Sequence, residues 1–171
     1  MELLLSAKGI SKSFQGMKVL DDIDIDIKKS EIIAISGASG AGKTTLLNIL
    51  STLDKPDEIT NSSLIIDGEN VFNLNNGDLS KLRNTKIGFV FQFHELIPEL
   101  NVMENICLPG WIKNDSKVAD NANSLISYFG LDKLKNKKPN TLSGGEKQRA
   151  AIARAICLLY TSPSPRDVST S

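Results

Sequence analysis

The chain has 171 residues, with Lys plus Arg and Asp plus Glu at 20 each, so one domain or part of a larger one is expected, and no basic excess draws it to nucleic acid. Its 40% apolar and 23% charged residues describe a globular chain able to bury a core without staples, not a disordered one. Cys107 and Cys157 lack metal-ligand spacing, Glu2 stands where a signal peptide carries basic residues, and the longest apolar run, Ala155 to Tyr160, is far short of the roughly 18 residues of a membrane span. A reducing, intracellular setting is therefore expected, with any membrane role exerted through a partner.

Ile23, Ile25 and Ile27 alternate with Asp24, Asp26 and Lys28, the period of a strand with one buried and one wet face. Ile32-Ile33-Ala34-Ile35, closed by Ser36-Gly37, fits a strand buried on both faces and ended by a turn. Thr44 to Leu53 combines helix formers with apolar Leu46, Leu47, Ile49, Leu50 and Leu53, which predicts a helix. Leu64-Ile65-Ile66 reads as a strand running into Asp67-Gly68, and Ile87-Gly88-Phe89-Val90-Phe91 as a strand that delivers Gln92 to its end, where α/β sheets present ligand-contacting groups. Val118, Ala122, Leu125, Ile126 and Phe129 recur at helical spacing before Gly130, the pattern of an amphipathic packing helix. Lys133 to Lys138 is locally basic and reads as a solvated connection, with a partner contact as the alternative.

Between the strand at 32–35 and the helix at 44 lies Gly37-Ala38-Ser39-Gly40-Ala41-Gly42-Lys43-Thr44, the phosphate-loop pattern in its required strand-loop-helix setting. Glycines let the backbone curl so that successive N–H groups face an anion, and the helix adds the positive end of its dipole. Lys43 brings a mobile charge for the β and γ oxygens, and the Thr44 hydroxyl can ligate the Mg²⁺ that nucleotide phosphates carry. ATP or GTP binding follows, but the reaction does not: a small-molecule kinase, a GTPase, a motor and a transporter ATPase all remain open.

A second motif narrows the choice. Leu142-Ser143-Gly144-Gly145-Glu146-Lys147-Gln148-Arg149, with Ala150 to Ala155 behind it, resembles the signature sequence of ABC-type ATPases. Ser143 and the amides of Gly144 and Gly145 crown a helix N-terminus, a second place where a γ-phosphate can be engaged. The resemblance implies an α/β P-loop fold with a mainly parallel core sheet, an N-terminal antiparallel portion that includes Ile23 to Ile27, and a helical portion over about 95–140. It implies ATP with Mg²⁺, and a head-to-tail dimer in which each nucleotide lies between the loop of one subunit, Gly37 to Thr44 with Thr45 beside it, and the signature Leu142 to Glu146 of the other. Gln92 resembles the glutamine that reaches the metal, with Thr44, and the attacking water. Phe14 lies where the family stacks an aromatic on adenine, against the alternative of a core phenylalanine at a strand end.

The stretch Gly88 to Pro98, with Val102-Met103-Glu104-Asn105-Ile106 and Leu53-Asp54-Lys55-Pro56, resembles the lipoprotein-releasing and macrolide-exporter branch of that family, with Phe93-His94 leaning towards lipoprotein release. Asp57 to Ser63 departs from the usual turn by its length and its lack of glycine. His94, the single histidine, is read as partner-facing or merely exposed. The expected role is an ATP-hydrolysing subunit on the cytoplasmic face of the plasma membrane, bound to integral permease subunits. The alternatives are a soluble, non-transport ABC ATPase and a nucleotide-binding fragment without turnover.

The resemblance covers the domain at 1–156, and residues 157–171 change to a Ser/Pro-rich composition that matches nothing in it. The family's apolar strand ending in Asp-Glu is not found after the signature helix. Asp167, the sole acid after Glu146, follows a Ser-Pro-Ser-Pro-Arg run and is not read as a metal ligand. The domain is therefore expected to be incomplete at its C-terminus, and these residues to hydrolyse ATP hardly at all.

Overall fold

A computed structural model describes residues 2–57 and 61–159, in two compact units, Met1–Lys81 and Leu82–Ser171. In the first unit, β1 (Leu3–Phe14) and β2 (Met17–Lys28) form an antiparallel hairpin in which Ala7 faces Ile25 and Phe14 faces Met17. β3 (Ser63–Ile66) pairs antiparallel with the other edge of β1, Ala7 opposite Leu64, and turns through Asp67-Gly68 into β4 (Glu69–Asn70), giving the order β2-β1-β3-β4. The alternation predicted for 23–27 is present: the isoleucines are half-buried and the aspartates between them exposed. On that wet face the Ser6 hydroxyl donates to Asp26 at 2.6 Å and the Gly9 amide to Asp24 at 2.8 Å.

α1 (Lys43–Leu50) buries Leu46, Ile49 and Leu50 in a core with Ala7, Ile10, Leu20, Leu64 and Ile66. It ends earlier than the expected Leu53, because Ser51 leaves helical geometry and Thr52 takes φ 63°. α2 (Asn76–Lys86) crosses the boundary between the units.

The second unit is helical. α3 (Val102–Lys113) opens with a capping box: the Glu104 amide donates to the Asn101 side chain at 2.9 Å and the Asn101 amide to the Glu104 carboxylate at 2.7 Å. Two further donors of that first turn, the amides of Val102 and Met103, reach the carbonyls of Lys137 and Lys135. The 133–138 stretch is thus a connection whose backbone carbonyls help cap α3. α4 (Val118–Tyr128) buries Val118, Ala122, Leu125 and Ile126 and stops at Gly130, φ 64°, where the Leu131 amide returns to the Ile126 carbonyl at 2.8 Å. α5 (Gly144–Ile156) adds Ala150 and Ala153 to a core with Val102, Ile106, Cys107, Leu131, Leu142 and Cys157.

The expected parallel sheet departs from this picture. Among the described residues every strand pair is antiparallel, and the segments 32–35 and 87–91 carry no ladder. A strand buried on both faces is held by neighbours at both edges, and none pairs with these segments among the described residues, so Ile32 is left 97% exposed. Residues 58–60 of the atypical Asp57–Ser63 turn and the tail from 160 onwards, Asp167 included, lie outside the described residues.

Candidate functional site

The glycine loop leads into α1 through Gly37, Gly40 and Gly42, at φ 152°, 81° and 82°. Gly42 is the N-cap, and no side chain caps the helix, which leaves its first amides to an incoming acceptor. A Cβ at Gly42 would lie 2.9 Å from the Val19 carbonyl and from the side chains of Val19 and Leu20. The backbone therefore passes β2 where only glycine fits, with a φ that glycine alone takes at no cost. The Lys43 ammonium folds over the loop and donates to the Gly37 and Ala38 carbonyls at 2.8 and 2.6 Å.

Phe14, Val19, Ser39, Gly40, Gly42, Lys43, Thr44 and Thr45 line one open depression of about 370 Å³, within the range of small-ligand sites. Most residues singled out around the loop are thus together, and Phe14, distant in sequence, joins them. It lies at the tip of the β1–β2 hairpin, 48% exposed, and so is not the core phenylalanine of the alternative. Lys12 holds this wall: its ammonium sits 5.7 Å from the Phe14 ring centre, 3.0 Å from the Asp54 carboxylate and 2.6 Å from the Lys55 carbonyl. Burial raises the Asp54 carboxyl, but the Lys55 amide and Lys12 outweigh it and hold it below its usual value. An anionic, aromatic ligand fits this chemistry: backbone amides and an ammonium at one end, an exposed ring at the other.

The signature residues cap α5. The Ser143 amide and hydroxyl donate to the Glu146 carboxylate at 2.7 and 2.8 Å, and the Glu146 amide donates back to the Ser143 hydroxyl at 3.4 Å. These bonds hold the Glu146 carboxyl below its usual value, the Ser143 amide first. Leu142 is buried beneath the cap, while Gly144 and Gly145 are exposed at the start of the helix, where a helix leaves its first amides without intrahelical partners.

Gln92 is exposed in a turn closed by the His94 amide, which donates to the Phe91 carbonyl at 3.0 Å. His94 is half-buried, held through its backbone. Two residues that pattern reading did not single out as functional organise this region. Arg154 donates to the His94 and Glu95 carbonyls at 3.0 and 2.6 Å. Asn105, fully buried, binds the backbone at Ile97, Leu100 and Asn101. The Asn inside an apolar helical stretch was the one local signal for it; nothing local marked Arg154, since an arginine on a helix is most often solvated.

Comparison with known proteins adds the following. The sequence profile described as ABC transporter matches residues 20–160. The lipoprotein-releasing system ATP-binding protein LolD of Bacteroides thetaiotaomicron is 48% identical over 155 residues, which cover 90% of this chain and 70% of that protein. The protein of the same name from Aquifex aeolicus is 45% identical over 160 residues, 91% of this chain and 69% of that protein. Among solved structures, the ATP-binding cassette MJ0796, dimeric in a post-hydrolysis state with ADP and Pi, superposes with a TM-score of 0.82 at 36% identity, covering 91% of this chain and 70% of that one.

Proposed function

Because this chain belongs to the ABC transporter family of ATPases, we propose that it is the ATP-binding, ATP-hydrolysing subunit of a transporter that releases lipoproteins from the inner membrane. The observation that carries this reading is the depression that gathers Phe14, Ser39, Gly40, Lys43, Thr44 and Thr45. Phe14 stacks on the adenine ring, Lys43 and the loop amides from Gly37 to Gly42 take the phosphate oxygens, and Thr44 is the proposed ligand of Mg²⁺. The metal supplies charge neutralisation on the phosphates. Gln92 is assigned to the metal and the attacking water, and Leu142 to Glu146 to the ATP held by a second copy. That copy forms a head-to-tail dimer with this one, as supported by the dimeric state of the solved cassette.

The lipoprotein assignment rests on the relatives named for that system. No described helix is long and apolar enough to cross a membrane. The assigned place at the membrane's cytoplasmic face, through contact with permease subunits, is supported by the transporter family and by the relatives named for the lipoprotein-releasing system.

The test is equilibrium binding of ATP, with GTP as competitor, to the chain and to Lys43→Ala. Binding of ATP that falls at least about tenfold in the variant, the loss of one charge-assisted contact, supports the reading, and binding indifferent to Lys43 overturns it. Co-purification of the protein with a membrane permease, lost on substitution at Phe93, separates the transporter reading from a soluble ABC ATPase.

A further inference from the structure

The turn that carries Gln92 is unusual in its backbone. After the His94 amide closes on the Phe91 carbonyl, the Glu95 amide donates to the Phe93 carbonyl at 2.8 Å. His94 and Glu95 are both left-handed, at φ 66° and 44°, a conformation that consecutive non-glycine residues keep only when their surroundings impose it. The support comes from α5. Arg154 places one guanidinium nitrogen 3.0 Å from the His94 carbonyl and the other 2.6 Å from the Glu95 carbonyl. Arginine alone among side chains offers two such donors in one rigid, permanently charged fork.

A second, independent observation lies one residue on. Gly88 runs so close to the Ala155 carbonyl that a Cβ would collide with it. The segment 88–95 thus meets the last turns of α5 at two successive residues, by hydrogen bonds from Arg154 and by close packing against Ala155. The first turn of that helix carries Ser143, Gly144 and Gly145, about 15 Å away along a rigid axis.

We propose that Arg154 is a positioning residue that ties the turn holding Gln92 to the signature helix, so that Gln92 is presented in fixed register with Ser143, Gly144 and Gly145. The inference rests on the assignment of Gln92 and the signature to ATP, and adds a residue which that assignment does not contain. Arg154 touches no substrate; it acts through the backbone of His94 and Glu95.

The test compares the full chain with Arg154→Ala, Arg154→Lys, Gln92→Ala and the Arg154→Ala/Gln92→Ala pair. Without nucleotide, amide exchange at residues 93–96 is expected to rise at least about tenfold in Arg154→Ala, by less in Arg154→Lys, and to stay within about twofold at Ile106 and Ala150. ATP affinity, measured with and without Mg²⁺, is expected to lose the same part of its Mg²⁺-dependent gain in Arg154→Ala and Gln92→Ala, with no further loss in the pair. A folded Arg154→Ala chain with unchanged exchange at 93–96, exchange raised evenly through α3 and α5, or additive losses in the pair would each overturn the proposal. If the unsubstituted chain fails to bind ATP in a Lys43-dependent manner, the ATP assignment falls, and the exchange comparison still decides whether Arg154 holds the turn.

Discussion

Asn105 and Ile97 exchange two hydrogen bonds: the Ile97 amide donates to the Asn105 side-chain oxygen at 2.8 Å, and the Asn105 amide group donates to the Ile97 carbonyl at 3.0 Å. The same nitrogen reaches the carbonyls of Leu100 and Asn101, both at 3.0 Å. A side chain with no exposed surface therefore satisfies the backbone of the loop that leads into α3.

Removal of that side chain takes the hydrogen-bond partner from the Ile97 amide and the Leu100 carbonyl, while the Ile97 and Asn101 carbonyls keep the Leu100 and Asn105 amides. It also leaves a cavity where a fully buried side chain stood. Asn105→Ala is expected to cost about 2–4 kcal/mol of stability, read as a lower urea midpoint. Asn105→Asp should be no milder, since it sets an acceptor against three carbonyls. A variant as stable as the parent would show that water serves the loop equally well.

Gly42→Ala should damage both fold and ligand binding. The residue sits at φ 82°, and its added methyl would meet the Val19 carbonyl. A cost of about 1–3 kcal/mol is expected from the backbone alone, with ATP affinity reduced further because the loop must shift away from β2. Thermal melting and a nucleotide titration read the two effects separately. Gly40→Ala, where nothing lies within 4 Å of the new atom, should be the less destabilising of the two.

The Ser143–Glu146 cap makes stability depend on pH in a stated direction. The Glu146 carboxyl titrates below its unperturbed 4.5 in the folded chain, through the Ser143 amide first and then the Ser143 hydroxyl. Its contribution is present above the unfolded value and is lost as pH falls through the lower, folded one. Glu146→Ala should therefore destabilise at neutral pH, by a margin that shrinks as the pH drops below 4.5. Denaturation of the pair of proteins across that window is the measurement, and a margin independent of pH would contradict the cap.

The cysteines predict the opposite dependence at the alkaline end. Burial first, then Cys107 and Asp115, push the Cys157 thiol up from 9.0 to about 12, and burial raises the Cys107 thiol as well. A thiol kept neutral in the fold but ionised when unfolded contributes stability that is full below pH 9 and is lost as pH rises towards 12. Both cysteines are buried, so neither should react with a thiol-alkylating reagent at mildly alkaline pH until the chain is unfolded. Rapid alkylation of the folded protein would contradict this.

What the sequence by itself determined were the features that depend on near neighbours. The alternation at Ile23, Ile25 and Ile27, the glycine spacing before Lys43, the Ser143-to-Glu146 box and the apolar stripe of α4 each encode their local structure, because a helix turn, a cap or a hairpin is closed by residues a few positions apart. Only the tertiary structure decided what depends on distant partners. It set Phe14 on the wall of the glycine-loop depression, across the hairpin from its own strand neighbours. It turned Arg154 and Asn105 from an ordinary helix arginine and asparagine into the backbone supports of the loop between Phe91 and α3. It also left 32–35 and 87–91, strand-like in composition, without ladders among the described residues, because a strand's hydrogen bonds are made to another segment and its composition alone cannot supply that partner.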